Sequence, residues 1–348
     1  MEHCKNGFLG LFQTTGIGSL PFAQPREAAQ FVLDAELSIP FWPQLPKRDF
    51  RELMIPQYSE GMPCLEVDRR AQRIFCDTSD KAEQLERFYA GFLSEDPEAF
   101  PVSQSYAAGL YSLKEMCSGR TWGNFKVQTT GPFTFTQGIN NMDREPVYND
   151  PDLRDAAVKL LARKTQWQIR QFRKLSKGPV IAFLDEPLLS AYGSSSYVGV
   201  SESNIHDLLR ELLDAISAEG AISAIHVCGN SDWGVVVRSG VELLNFDAYE
   251  YGYSIALYSD DVRRFFERGG NIAWGIVPTS EAVRGETADT LAKRLADSFS
   301  MLEKKGIRKA LIEERCVLTP SCGAGSLSVD DTKRVFDLLH ELREKLAG

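Results

Sequence analysis

The sequence predicts an α/β protein: a single (β/α)8 barrel spanning residues 1–348, with a long, mostly helical insertion after its second strand. Three observations predict it. Short β-rich runs end repeatedly in Gly, Pro or polar residues. Segments of helical periodicity lie between those runs. Residues able to do chemistry gather at the run ends. Strands alternating with helices imply parallel βα units. Eight such units imply a closed barrel, whose active site lies at the C-terminal ends of its strands.

The runs are "TTGIGSLP" (14–21), "SIPFWPQLP" (38–46), "FKVQTTGP" (125–132), "PVIAFLDEP" (179–187), "ISAIHVCGN" (222–230), "VELLNFDAY" (241–249), "NIAWGIVPT" (271–279) and "CVLTPSCG" (316–323). Between them, 151–175 carries Leu153, Leu160, Leu161 and Trp167 at helical spacing. That segment starts after Asn149-Asp150-Pro151, a cap followed by a first-turn proline. Residues 203–219 carry Leu208, Leu209, Leu212, Leu213 and Ile216 as one stripe, closed by Gly220. Similar patterns cover 258–268, 286–305 and 329–346. The stretch of roughly 48–122, which includes "DKAEQLERFYAGFLSED", is the helical insertion.

Composition narrows the function. The chain has 348 residues, 43% hydrophobic and 25% charged, as in a globular protein with a large core. Its net charge of -9 argues against a surface that tracks nucleic-acid phosphates. The start, "MEHCKNGFLGLFQTTG", shows no signal-peptide pattern, and no run is apolar enough to span a membrane, so the expected location is cytoplasmic. Cys4, Cys64, Cys76, Cys117, Cys228, Cys316 and Cys322 make an odd count, which fits buried, metal-binding or catalytic thiols better than a disulfide framework.

The polar residues at the run ends are Ser19, Gln44, Thr129, Asp185, Glu186, His226, Cys228, Asp247, Thr279 and Cys322. His226 and Cys228 stand two apart on one strand, so both side chains turn to the same face. Cys322, in "TPSCGAG", adds a second thiolate at the end of the eighth run. Two Cys, one His and a carboxylate suit tetrahedral zinc. Two carboxylates are open as the fourth ligand: Asp247, which ends "LLNFD", and Glu250, three residues on. The competing reading is a buried histidine bonded to backbone beside two inert core cysteines.

Taken in order, "TTGIGSLP", "TTGP", "LDEP", "HVC" and "PSCG" resemble the catalytic half of cobalamin-independent methionine synthase, within the wider superfamily that includes uroporphyrinogen decarboxylase. The resemblance covers nearly the whole chain. It implies zinc (Zn2+) held by His226, Cys228, Cys322 and either Asp247 or Glu250. It also implies an amino-acid thiol held by Ile17, Gly18 and Ser19, with Asp185 on its amine. The sequence departs from the family in three places. Gln44 and Leu45 stand where a second-strand Glu is expected, and Gln44 is carried as a pocket residue. Val277 stands where a seventh-strand His is expected, so no protein acid or base is assigned. The folate-binding N-terminal half of the long enzymes is absent. Short chains of this kind resemble "core" methionine synthases, which take a methyl group from methylcobalamin or a corrinoid protein.

The expected reaction is therefore methyl transfer to a zinc-bound thiolate, homocysteine being the expected acceptor. A variant uses another thiol such as coenzyme M. A second class is a porphyrinogen decarboxylase, whose arginine-rich N-terminal motif is not seen in 12–25. A third is a zinc-binding barrel without catalysis.

Overall fold

The computed structural model describes residues 11–94 and 96–348; His3 and Cys4 lie outside the described residues. A curled, seven-stranded parallel sheet organises the chain. Its strands are β1 (Gln13–Thr14), β4 (Phe125–Thr130), β5 (Val180–Asp185), β6 (Ile222–Val227), β7 (Leu243–Phe246), β8 (Asn271–Val277) and β9 (Cys316–Pro320). They pair in the order β1-β9-β8-β7-β6-β5-β4. The two remaining strands, β2 (Leu65–Asp68) and β3 (Arg73–Cys76), form an antiparallel hairpin within 48–122.

That hairpin was not expected from the helical reading of 48–122. The helices of the stretch are Met54–Tyr58, Lys81–Phe92 and Ala108–Met116. Elsewhere the helices follow their sequence signals closely. Pro151–Arg173 begins where the Asp150 carboxylate accepts from the N–H groups of Asp152 (3.1 Å) and Leu153 (3.2 Å). Glu202–Ala218 starts with a reciprocal Ser201–Asn204 capping box. Ser259–Glu267, Ala288–Lys304 and Val329–Ala347 follow. Among the described residues, no helix is long and apolar enough to cross a membrane.

The second expected strand, 38–46, is corrected: it is not a regular strand. Pro40, Pro43 and Pro46 each lack the N–H that a ladder needs. Only isolated parallel bridges form, Ser19 with Gln44 and Phe41 with Lys126. Ile39 N–H donates to Thr14 O (3.0 Å), Gln44 N–H to Gly18 O (3.0 Å) and Lys126 N–H to Pro40 O (2.9 Å). The segment thus runs between β1 and β4, the two edges of the sheet.

Side-chain alternation divides the interior in two. Leu184, Ile225, Leu244, Phe246 and Trp274 pack outward into the main core, with Leu160, Leu161, Leu209 and Leu212 of the helices. The inner face carries a separate apolar cluster of Ile39, Ile181, Phe183, Ile222, Ala224, Leu243, Ala273 and Val317. Two residues further along the strands, the same face presents Asp185, His226, Asn245 and Thr319. Register places Asp185 opposite His226 and His226 opposite Asn245. An apolar plug therefore ends in a polar layer at the C-terminal ends of the strands.

Candidate functional site

One cavity of about 290 Å³ opens above that layer. Ile17, Ser19, Gln44, Asp185, His226, Cys228 and Cys322 all line it. Seven residues from five distant parts of the sequence thus meet at one place. Gly18 lies just behind: its φ of +152° and the closeness of Gln44 Oε1, 2.7 Å from where a Cβ would stand, leave room only for glycine. Ser19 is wrapped by the loop after β9, since Ala324 N–H donates to Ser19 O (2.9 Å) and Gly325 N–H to Ser19 Oγ (3.3 Å). A Cβ on Gly323 would overlap Ser19 Oγ. The close fit between these two loops sets where Cys322 points.

The ligand-type atoms of His226, Cys228 and Cys322 lie within 4.8 Å of one another. The His226 ring is fixed from behind. Its Nδ1 lies 2.5 Å from Asn245 Oδ1. The amide nitrogen of Asn245 donates to Ala273 O (2.9 Å) and Thr319 Oγ1 (2.9 Å), which leaves the amide oxygen to face the imidazole. Nδ1 then carries a proton, and in the neutral ring Nε2 keeps its lone pair. Nε2 is buried with no hydrogen-bond partner. A buried ring nitrogen of this kind costs stability unless something binds it. The donor set, one imidazole nitrogen and two sulfurs, matches the ligands zinc prefers. A partner that orients the second ring nitrogen is the usual support for a metal-bound histidine.

The Cys322 thiol beside it, and then the His226 ring, draw the Cys228 thiol down to about 4, against the opposing effect of burial. Cys322 moves the other way, raised by its neighbour Cys228 and by burial. The pair therefore favours one thiolate even without a metal. Burial raises Asp185 to about 6, with His226 and Lys126 pulling it back. Its Oδ1 is buried without a partner.

No family model matches the chain, and no curated protein is similar to it in sequence. Solved structures do match. A B12-independent methionine synthase from Shewanella sp. W3-18-1, in complex with selenomethionine, superposes with a TM-score of 0.58 at 13% identity, covering 97% of this chain and 98% of that one. A methyltransferase from Methanosarcina mazei superposes at 0.55 and 13% identity, covering 94% and 87%. The chain shares the fold of methionine synthase-like methyltransferases.

Against that fold, two expected ligands stand apart from the sulfur–imidazole cluster. Asp247 is 9% exposed, and its Oδ1 caps the short helix Ala248–Tyr251 by accepting from Glu250 N–H (3.0 Å). Burial raises it to about 6, and the charge of nearby His226 lowers it. Glu250 is exposed. Neither belongs to the group of ligand atoms within 4.8 Å.

Glu186, the neighbour of Asp185, is structural. Its carboxylate accepts from the N–H groups of Phe133 (2.9 Å) and Thr134 (2.8 Å) and from Thr134 Oγ1 (2.7 Å). It thereby satisfies the first turn of helix Pro132–Gly138. A Cβ on Gly131 would overlap this carboxyl, which explains the glycine of "TTGP".

Two site residues escaped the sequence reading. Asn245 was foreseen only as inward-facing. Glu52, inside 48–122, lines the cavity with 1% exposure. It accepts from Arg48 Nη1 (2.5 Å) and Leu45 N–H (3.3 Å), and burial raises it to about 7 in spite of that ion pair. No periodicity marks it out, because it belongs to a three-residue turn, Phe50–Glu52.

Proposed function

We propose that the protein is a zinc-dependent thiol S-methyltransferase that makes methionine from homocysteine. The methyl donor in this reading is methylcobalamin or a corrinoid protein. The observation that carries it is the juxtaposition, in one cavity, of the His226–Cys228–Cys322 cluster with the unpartnered carboxylate oxygen of Asp185. The shared fold and the near-complete overlap with a methionine synthase bound to selenomethionine support it. We read the parallel segments, including 38–46, as one closed (β/α)8 barrel forming a single domain, with 48–122 as its insertion.

His226 Nε2, Cys228 Sγ and Cys322 Sγ would hold the metal, and Asp247 is our choice over Glu250 as fourth ligand. Asp247 is the buried one, and it follows Asn245 on the inward face of β7. Zinc held this way supplies a Lewis acid that keeps an acceptor thiol deprotonated at neutral pH. The chain's own residues do the rest. Asp185 Oδ1 receives the acceptor's ammonium, and the Ile17–Gly18–Ser19 loop lies against its carboxylate end. Gln44 is fixed by its side-chain bond to Gln57 and shapes the wall. The sulfur is thereby aimed at the cavity mouth, and alignment with the methyl carbon supplies much of the acceleration. The methyl carbon forms its bond to the acceptor sulfur as its bond to the donor breaks, the electron pair leaving with the donor. The carboxylate of Asp185 favours homocysteine over coenzyme M, which has a sulfonate and no cation to offer it.

The test is metal analysis of purified protein, followed by spectroscopic assay of methylcobalamin demethylation with a panel of thiols. The reading expects bound zinc and demethylation driven by homocysteine. Absence of zinc removes the mechanism. Zinc with no active thiol leaves a metal-binding barrel without this activity.

A further inference from the structure

The inner face of the sheet holds a buried lysine that takes no direct part in the proposed reaction. Lys126, on β4, is 0% exposed. Ile181, Phe183 and Ile39 of the apolar cluster lie on the same face, and a leucine or methionine would fill such a position without the cost of burying an ammonium. The ammonium has specific partners instead. Nζ donates to Ile17 O (2.5 Å) and to Gln128 Oε1 (3.2 Å). It also lies 4.4 Å from the centroid of the Phe183 ring and 5.8 Å from that of Phe41.

These partners form a platform beneath the cavity. Gln128 Nε2 donates to Trp42 O (2.9 Å), which ties β4 to the proline-broken segment. The Phe41 ring occupies the space that a Cβ on Gly16 would need. A Cβ on Gly18 would stand 3.1 Å from Gln128 Nε2. The turn from Gly16 to Ser19 is therefore moulded onto Phe41 and Gln128, and its Ile17 carbonyl is pulled down onto Lys126. Ile17 and Ser19 form the cavity wall on the other side of the same turn.

We propose that Lys126 is a positioning residue for the acceptor: by holding the Ile17 carbonyl, it sets the Ile17–Gly18–Ser19 wall at the distance from Asp185 and Cys322 that an amino-acid thiol requires. This rests on the methyltransferase reading for the identity of the acceptor. Lys126 makes no hydrogen bond to His226, Cys228 or Cys322, and its charge acts on Asp185 as well, so it governs binding of the acceptor and leaves the metal ligands alone.

The experiment is calorimetric titration of L-homocysteine into zinc-loaded protein, with zinc content and the absorption of the cobalt-substituted form measured in parallel. Lys126→Met keeps the volume and removes the charge. It is expected to weaken homocysteine binding roughly 10- to 100-fold, the usual effect of losing a charge-assisted hydrogen bond. Zinc content and the cobalt spectrum stay as in the unmodified protein. A purely structural lysine would lower the unfolding midpoint and leave the affinity of the folded fraction unchanged. Gln128→Leu serves as the second variant: it leaves Lys126 one acceptor short, and should weaken binding by about 3- to 10-fold. Homocysteine affinity within about twofold of the unmodified protein in a folded variant overturns the inference. If the unmodified zinc protein itself fails to bind homocysteine, the acceptor assignment falls, and the inference with it.

Discussion

Asn245→Ala tests the metal assignment most directly, because Asn245 touches no candidate ligand except His226. Its side chain is fully buried and takes part in three hydrogen bonds: to His226 Nδ1, Ala273 O and Thr319 Oγ1. Removing the amide has two separable consequences. The carbonyl of Ala273, the hydroxyl of Thr319 and Nδ1 of His226 lose a buried partner, at about 1–3 kcal/mol for each group left unsatisfied. The imidazole also loses the bond that selects its tautomer and fixes its plane. Losing such a support typically weakens a metal by about 10- to 100-fold, or roughly 1.4–2.8 kcal/mol. Competition for zinc against a chromogenic chelator measures the second effect, and urea denaturation of the metal-free protein measures the first. Asn245→Asp separates them further. It keeps an oxygen for Nδ1–H and so holds zinc within about threefold, while it loses the donors to Ala273 and Thr319 and so loses stability. If Asn245→Ala binds zinc within about twofold of the unmodified protein, Nε2 of His226 is not the metal ligand, and the orphaned nitrogen needs another explanation.

Other outcomes follow from the same geometry. Cys322→Ser should lose bound zinc on gel filtration, as read by atomic absorption, because one of two thiolates is gone. Asp185→Asn should keep its zinc but raise the homocysteine Kd by about 10- to 100-fold, since the acceptor ammonium loses its charged partner. Gly323→Ala should weaken zinc by roughly tenfold or more, because the added methyl collides with Ser19 and shifts Cys322. Glu52 gives a pH test. Its carboxyl is raised from 4.5 to about 7 in the fold, so the folded state holds that proton more tightly than the unfolded chain. The Glu52 contribution is fully present below pH 4.5 and is lost as pH rises through 7. The stability of the unmodified protein relative to Glu52→Gln should therefore fall by roughly 3 kcal/mol across that window in urea titrations. A flat difference would show that the Arg48 pair offsets the burial of Glu52.

What the sequence made legible, and what it hid, follows from how local each signal is. Helices are announced by their caps and stripes, so Pro151–Arg173 and Glu202–Ala218 could be placed within a residue or two. The ends of β5, β6 and β9 were equally legible, because a strand running from an apolar plug into a polar cavity changes character abruptly, as at Leu184-Asp185 and Ile225-His226. The segment 38–46 was misjudged for an identifiable reason. Its β-branched and aromatic residues give it a strand's composition, yet three prolines remove the ladder, and what holds it is contact with Thr14, Gly18 and Lys126 from elsewhere in the chain. Glu52 and Lys126 were hidden for the same reason. A turn carboxylate and a strand lysine look like ordinary surface charges until the fold encloses them. The enclosure is itself informative. Burying two ionisable groups at 1% and 0% exposure, Glu52 on the wall of the cavity and Lys126 beneath it, costs stability that an apolar pair would not. On the proposed reading, that cost is offset by a ligand with charges of its own, a demand that a zwitterionic amino-acid thiol makes and a simple alkyl thiol does not.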